Sequence, residues 1–119
     1  MNLVDYIDID LENCEVIRVP IESFVSYSFT LSEDEEHIDN GKLVLKDLNK
    51  LLYLENHYKL TPQDRLLLFK DVMKINIKYL NKEELSLWVN WKEPDGIDCD
   101  YNRNQENILK DGTLTISFN

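Results

Sequence analysis

The sequence predicts a mainly-β fold, a small single-domain sandwich or rolled antiparallel sheet of about eight short strands with at most one or two short helices. Three observations lead there. Apolar and polar residues alternate with a period of two over Phe24 to Leu31, Ile75 to Trp91 and Thr113 to Phe118. Two Xaa-Gly dipeptides, Asn40-Gly41 and Asp111-Gly112, stand between such runs as hairpin turns do. A pattern of apolar, any residue, Asn or Asp, then apolar at the third, sixth and eighth places after the first occurs three times. The copies are Leu11, Asn13, Cys14, Ile17 and Val19; Leu45, Asp47, Leu48, Leu51 and Tyr53; and Phe69, Asp71, Val72, Ile75 and Ile77. On a helix turning about 100° per residue these apolar side chains scatter round most of the cylinder. If the Asn or Asp instead marks a bend or bulge, each copy reads as strand, turn, strand.

Taken in order, residues 3 to 11 alternate Ile7, Ile9 and Leu11 against Asp8 and Asp10. That suits a strand with one wet face, and its aspartates suggest a sheet edge, where charge discourages pairing with another molecule. CEVIRVP gives a second strand stopped by Pro20, and PIES one turn of helix or a crossing. FVSYSFTL places Val25, Tyr27, Phe29 and Leu31 towards the core and Ser26, Ser28 and Thr30 away from it. An acidic loop and a turn at Asn40-Gly41 follow. Residues 42 to 54 form the middle copy of the repeat; because they are rich in helix formers, the alternative is an α+β fold with a helix in 43–59.

ENHYKLTPQD reads as a loop, in which Thr61-Pro62 would alternatively open a short helix, and Leu66 to Phe69 as a strand. The hairpin at 72 to 91 is the centre of the prediction: Ile75, Ile77 and Tyr79, a turn at NKEE, then Leu85, Leu87, Val89 and Trp91. Pro94, Asp95 and Gly96 make a turn inside an amide-rich loop, and a hairpin closes the chain around Asp111-Gly112.

A chain of 119 residues fits one domain, 1–119, and buries roughly two-thirds of its unfolded surface. With only three glycines and three prolines it is not of low complexity. No run approaches the roughly eighteen apolar residues of a membrane span, and MNLVDYIDID carries acids where a signal peptide has a basic region, so the expected compartment is the cytoplasm without membrane contact. Cys14 and Cys99 are read as unpaired thiols, Cys14 inward at an apolar place of the repeat and Cys99 in a loop.

Composition also narrows function. With 23 acids against 13 bases the net charge is −10, which disfavours direct contact with nucleic-acid phosphates and favours encounter with a basic protein surface. There is no G-x-S-x-G, no phosphate-cradling glycine loop, no H-E-x-x-H and no C-x-x-C, and His37 and His57 are the only neutral-pH bases. Asp5, Asp8 and Asp10 diverge if they lie on a strand, and Asp95, Asp98 and Asp100 lack the spacing of a calcium loop, so neither a metal nor another cofactor is expected.

The reading that results is a non-enzymatic acidic protein-binding module, of which a stoichiometric inhibitor or immunity-type protein acting on a basic partner is one kind. A structural or homo-oligomeric subunit is the first alternative, and an enzyme with an unrecognised site the second. Candidate partner-binding residues are Glu33, Asp34, Glu35 and Glu36 of the acidic loop; Trp88, directed outwards if Leu87, Val89 and Trp91 point inwards; and Tyr101, Asn102 and Gln105 of the amide-rich stretch.

Overall fold

Strand alternation is realised in the computed structural model, which describes residues 3–11, 15–55, 72–89 and 105–118. Among the described residues nine strands follow one another: β1 (Val4–Leu11), β2 (Val16–Pro20), β3 (Phe24–Leu31), β4 (His37–Leu45), β5 (Leu52–Glu55), β6 (Val72–Tyr79), β7 (Glu84–Val89), β8 (Gln105–Lys110) and β9 (Thr113–Phe118). The helical segments among the described residues are single 3-10 turns at Ile21–Ser23 and Leu48–Lys50. None is long and apolar enough to cross a membrane.

The strands form one sheet in the order β5-β2-β1-β6-β7-β4-β9-β8, with β3 on the other side of β4. The sheet curls over a core that takes Ile7, Ile9 and Leu11 from β1, Ile17 and Val19 from β2, Leu43 and Leu45 from β4, and Leu114, Ile116 and Phe118 from β9. Side-chain contacts cross the curl: the Tyr27 and Tyr79 hydroxyls meet at 3.4 Å, and Gln105 Oε1 accepts the Val72 N–H at 3.1 Å. The shared hydrogen bond to Tyr27, reinforced by burial, pushes the Tyr79 hydroxyl up to about 12. The central hairpin is present as β6 and β7, with Ile75, Ile77, Leu87 and Val89 all buried. At roughly 1.5–3 kcal/mol for each fully buried side chain, these residues are a main source of stability.

Of the three copies of the repeat, the middle one is described throughout; Asn13 and Cys14 of the first and Phe69 and Asp71 of the third lie outside the described residues. In the middle copy Asp47 adopts a left-handed conformation (φ 45°), one 3-10 turn follows, and Leu52 begins β5, so strand-turn-strand holds and no α-helix forms over 43–55. In the described part of the third copy, from Val72 on, a bulge is present. Asp10 pairs with Lys74 but Leu11 with Val72, and the extra residue lets Val72 and Ile75 both face the core although three positions apart.

Four expectations are corrected. β1 is not an edge: it lies between β2 and β6, because Asp8 and Asp10 find cross-strand partners that make an interior position tolerable. Asn40-Gly41 is not a turn but lies inside β4 opposite Thr30 and Phe29, and the chain reverses earlier, at Ser32 to Glu36. Val25 is exposed, since a register shift between Phe24 and Ser26 hands its core-facing place to Phe24, whose ring lies tilted against Tyr27, which in turn stacks on Phe29. The sheet is also not wholly antiparallel, because β4 and β7 join as a short parallel pair, His37 to Trp88 and Ile38 to Val89. The expectations for Cys14, Thr61-Pro62, Leu66 to Phe69, Trp91, the turn at 94–96 and Cys99 lie outside the described residues.

Candidate functional site

The parallel joint between β4 and β7 brings two of the sequence-predicted elements together. Trp88 sits beside His37 and donates its backbone N–H to the Glu36 carbonyl at 2.8 Å, so the tryptophan borders the acidic turn. The indole side chain follows the strand's alternation: Leu87 and Val89 are buried while Trp88 keeps 41% of its surface exposed. One side of its ring is covered by the Lys74 ammonium, 4.6 Å from the centroid, which shows a ring positioned to receive a cation.

The turn owes its shape to one of its own acids. Glu35 N–H donates to the Ser32 carbonyl at 2.9 Å and Ser32 N–H to the His37 carbonyl at 2.9 Å, giving a four-residue hairpin loop with Glu35 left-handed at φ 58°. Asp34 holds this loop from within. One of its carboxylate oxygens accepts the Ser32 hydroxyl and, at 2.9 Å, the Glu36 N–H; the other accepts His37 Nδ1–H at 2.9 Å. The Ser32 hydroxyl first, then the Glu36 N–H, and to a lesser degree His37, hold the Asp34 carboxyl down at about 2. Asp34 is therefore the turn's organiser. Glu33, Glu35 and Glu36 are exposed, and among the described residues none of their side chains has an ion-pair partner. A spacing signal for the role of Asp34 is present in the chain, since a serine two residues before it and a histidine three after it are what a side-chain-capped turn uses.

Beside the turn, on the outer face of the sheet, lies an interlocked polar surface that sequence reasoning missed. In one cross-strand row Arg18 makes two bonds to Asp8, at 2.8 and 3.0 Å, with its guanidinium 4.0 Å over the Tyr6 ring. Asn76 Nδ2 donates to the Asp8 carbonyl at 3.4 Å and to Asp10 Oδ2 at 3.3 Å, and Ser86 Oγ donates to Asn76 Oδ1 at 2.8 Å. The hydrogen bond to Asp8 raises the Arg18 pKa, and burial raises that of Asp10 against the opposing pull of Asn76 and Lys74. The next row runs Asp10, Lys74, Trp88, His37, so this surface ends at the acidic turn.

Gln105 does not join the site. Its amide is engaged with Val72 and, through Nε2 at 2.9 Å, with Asn107, as a tie across the curled sheet. Tyr101 and Asn102 lie outside the described residues. Among those described, no three acids, histidines or cysteines converge as a metal site would require. Comparison with protein-family models, with curated proteins and with solved structures finds no match.

Proposed function

We propose that the chain is a non-enzymatic protein-binding module that engages a basic protein surface through the Glu33–Glu36 turn and Trp88. The observation that carries this reading is their adjacency: the Trp88 N–H to Glu36 carbonyl bond puts three unneutralised glutamates next to an exposed tryptophan on one rim of the sheet. The division of labour is physical. Exposed carboxylates speed encounter with a positive surface but add little lasting affinity each, whereas an aromatic ring desolvated on binding slows escape. Lys74 already occupies one face of the ring, so contact with the partner falls to the rest of the exposed indole. A stoichiometric inhibitor of a basic enzyme is the kind of protein this describes, and a net charge of −10 suits that role.

The test is capture from the native source by the full chain, followed by reconstitution with the purified captured protein and association kinetics at two salt concentrations. Replacing Glu33, Glu35 and Glu36 by glutamine should slow association and flatten its salt dependence, while Trp88→Ala should speed dissociation on the order of tenfold or more. An association rate that ignores the charge-neutral variant, or a partner whose surface is acidic, overturns the reading.

A further inference from the structure

We propose that a second copy of this chain pairs with the outer edge of β8 to form a two-fold dimer through an antiparallel β8–β8 ladder, with Ile108 on the axis. This goes beyond the partner-binding reading and does not rest on it. β8 is bonded to β9 on one side and, among the described residues, carries no strand on the other. Its free edge is apolar in the middle: Ile108 and Leu109 point to opposite faces, yet are 49% and 51% exposed. An apolar edge with open backbone groups is a template for another strand.

What selects a second copy as the occupant is charge complementarity. Glu106 and Lys110 flank Ile108 symmetrically, both exposed on the same face of β8. Across β9 they face Ser117 and Thr113, so neither meets a charge there, and among the described residues neither has an ion pair. Four residues of strand separate them by about 13 Å, too far for them to neutralise each other.

A two-fold axis perpendicular to the sheet keeps each face common to both copies, so residues of like parity must pair. With Ile108 on the axis, Glu106 stands opposite the partner's Lys110 and Lys110 opposite the partner's Glu106, with the two isoleucines between. Moving the axis to Asn107 or Leu109 sets Glu106 or Lys110 against isoleucine instead, so one register alone joins the charges. Among the described residues the two other edge strands lack this symmetry: β3 exposes Val25, Ser26, Ser28 and Thr30 without a charge, and β5 has only four residues. Because each copy carries −10, unspecific pairing is repelled, and the edge itself must supply the attraction.

Sedimentation equilibrium of the full chain at about 0.15 M salt, where charges more than roughly 8 Å apart are screened, tests this. Wild type should form a reversible dimer, and Glu106→Lys or Lys110→Glu alone should weaken it on the order of tenfold, since each change turns two attractive pairs repulsive. The double swap in one chain should restore the dimer, and so should an equimolar mixture of the two single variants, which sets a wholly basic edge against a wholly acidic one. Independently of any variant, amide exchange over 106–110 in wild type should slow as concentration crosses the dimer range. A wild type that stays monomeric at about 1 mM, a dimer indifferent to the single swaps, or a double swap that fails to restore it overturns the proposal.

Discussion

Asn40-Gly41 and Asp111-Gly112 carry the same turn signal and end in opposite structures. At the second, Asp111 and Gly112 both take positive φ (53° and 76°), β8 reverses into β9, and a side chain on Gly112 would meet nothing within 4 Å. At the first, Gly41 has φ 139° in the middle of β4, and a Cβ there would lie 2.1 Å from the Ser28 carbonyl oxygen and 2.7 Å from Phe29 Cα. One glycine is required by dihedral angle, the other mainly by space. A dipeptide signals that something other than an ordinary side chain is needed, and only the neighbouring strand decides which need it meets.

The largest effect that would break this contrast is at Gly41. Gly41→Ala forces β3 away from β4 and should cost about 3 kcal/mol or more, read as a lowered urea midpoint, because strain and a backbone collision act together. Gly112→Ala meets only the left-handed penalty and should cost about 1 kcal/mol. Equal losses at the two positions would show that conformation alone governs both.

The same contrast marks how far the sequence could be read. Period-two alternation located the hairpin of β6 and β7, the closing hairpin and the inward faces of β1 and β2, because burial on one face imposes it directly. It misjudged what depends on neighbours remote in sequence: the interior place of β1, made acceptable by Arg18 and Asn76; the loss of Val25 from the core through a bulge; and the parallel joint of β4 and β7. At the candidate site the outward direction of Trp88 was legible from Leu87 and Val89. Its meeting with the acidic turn was not, because that contact exists only once β4 and β7 lie side by side. That one of the four clustered acids shapes the turn was signalled only by the spacing of Ser32 and His37 about Asp34.

A smaller effect extends the comparison to the hairpin loop that the chain does use in place of Asn40-Gly41. Glu35 occupies a left-handed position without being glycine. Glu35→Gly should therefore raise stability by about 0.5 kcal/mol, the relief of the left-handed penalty exceeding the entropy glycine loses on folding. A thermal midpoint that falls instead would mean that the glutamate side chain itself supports the loop.

The smallest effect separates Asp34 from its neighbours by pH. Its carboxyl is held at about 2 in the folded chain against 3.8 for an unperturbed aspartate, with the Ser32 hydroxyl the foremost cause. A folded-state pKa below the unfolded one means that the unfolded chain binds the proton more readily. The contribution is thus complete above pH 3.8 and is lost as pH falls through about 2. In a titration followed residue by residue, Asp34 should protonate at about 2, with the Glu36 amide shifting in step because its hydrogen bond loses the charged acceptor. Asp34→Asn should remove that acid-side limb while retaining an oxygen for the amide, and its exposed position keeps the loss of stability near pH 7 small. If Asp34 instead titrates at the unperturbed 3.8, the turn is not held by its carboxylate, and Asp34 must be counted with its neighbours as surface charge.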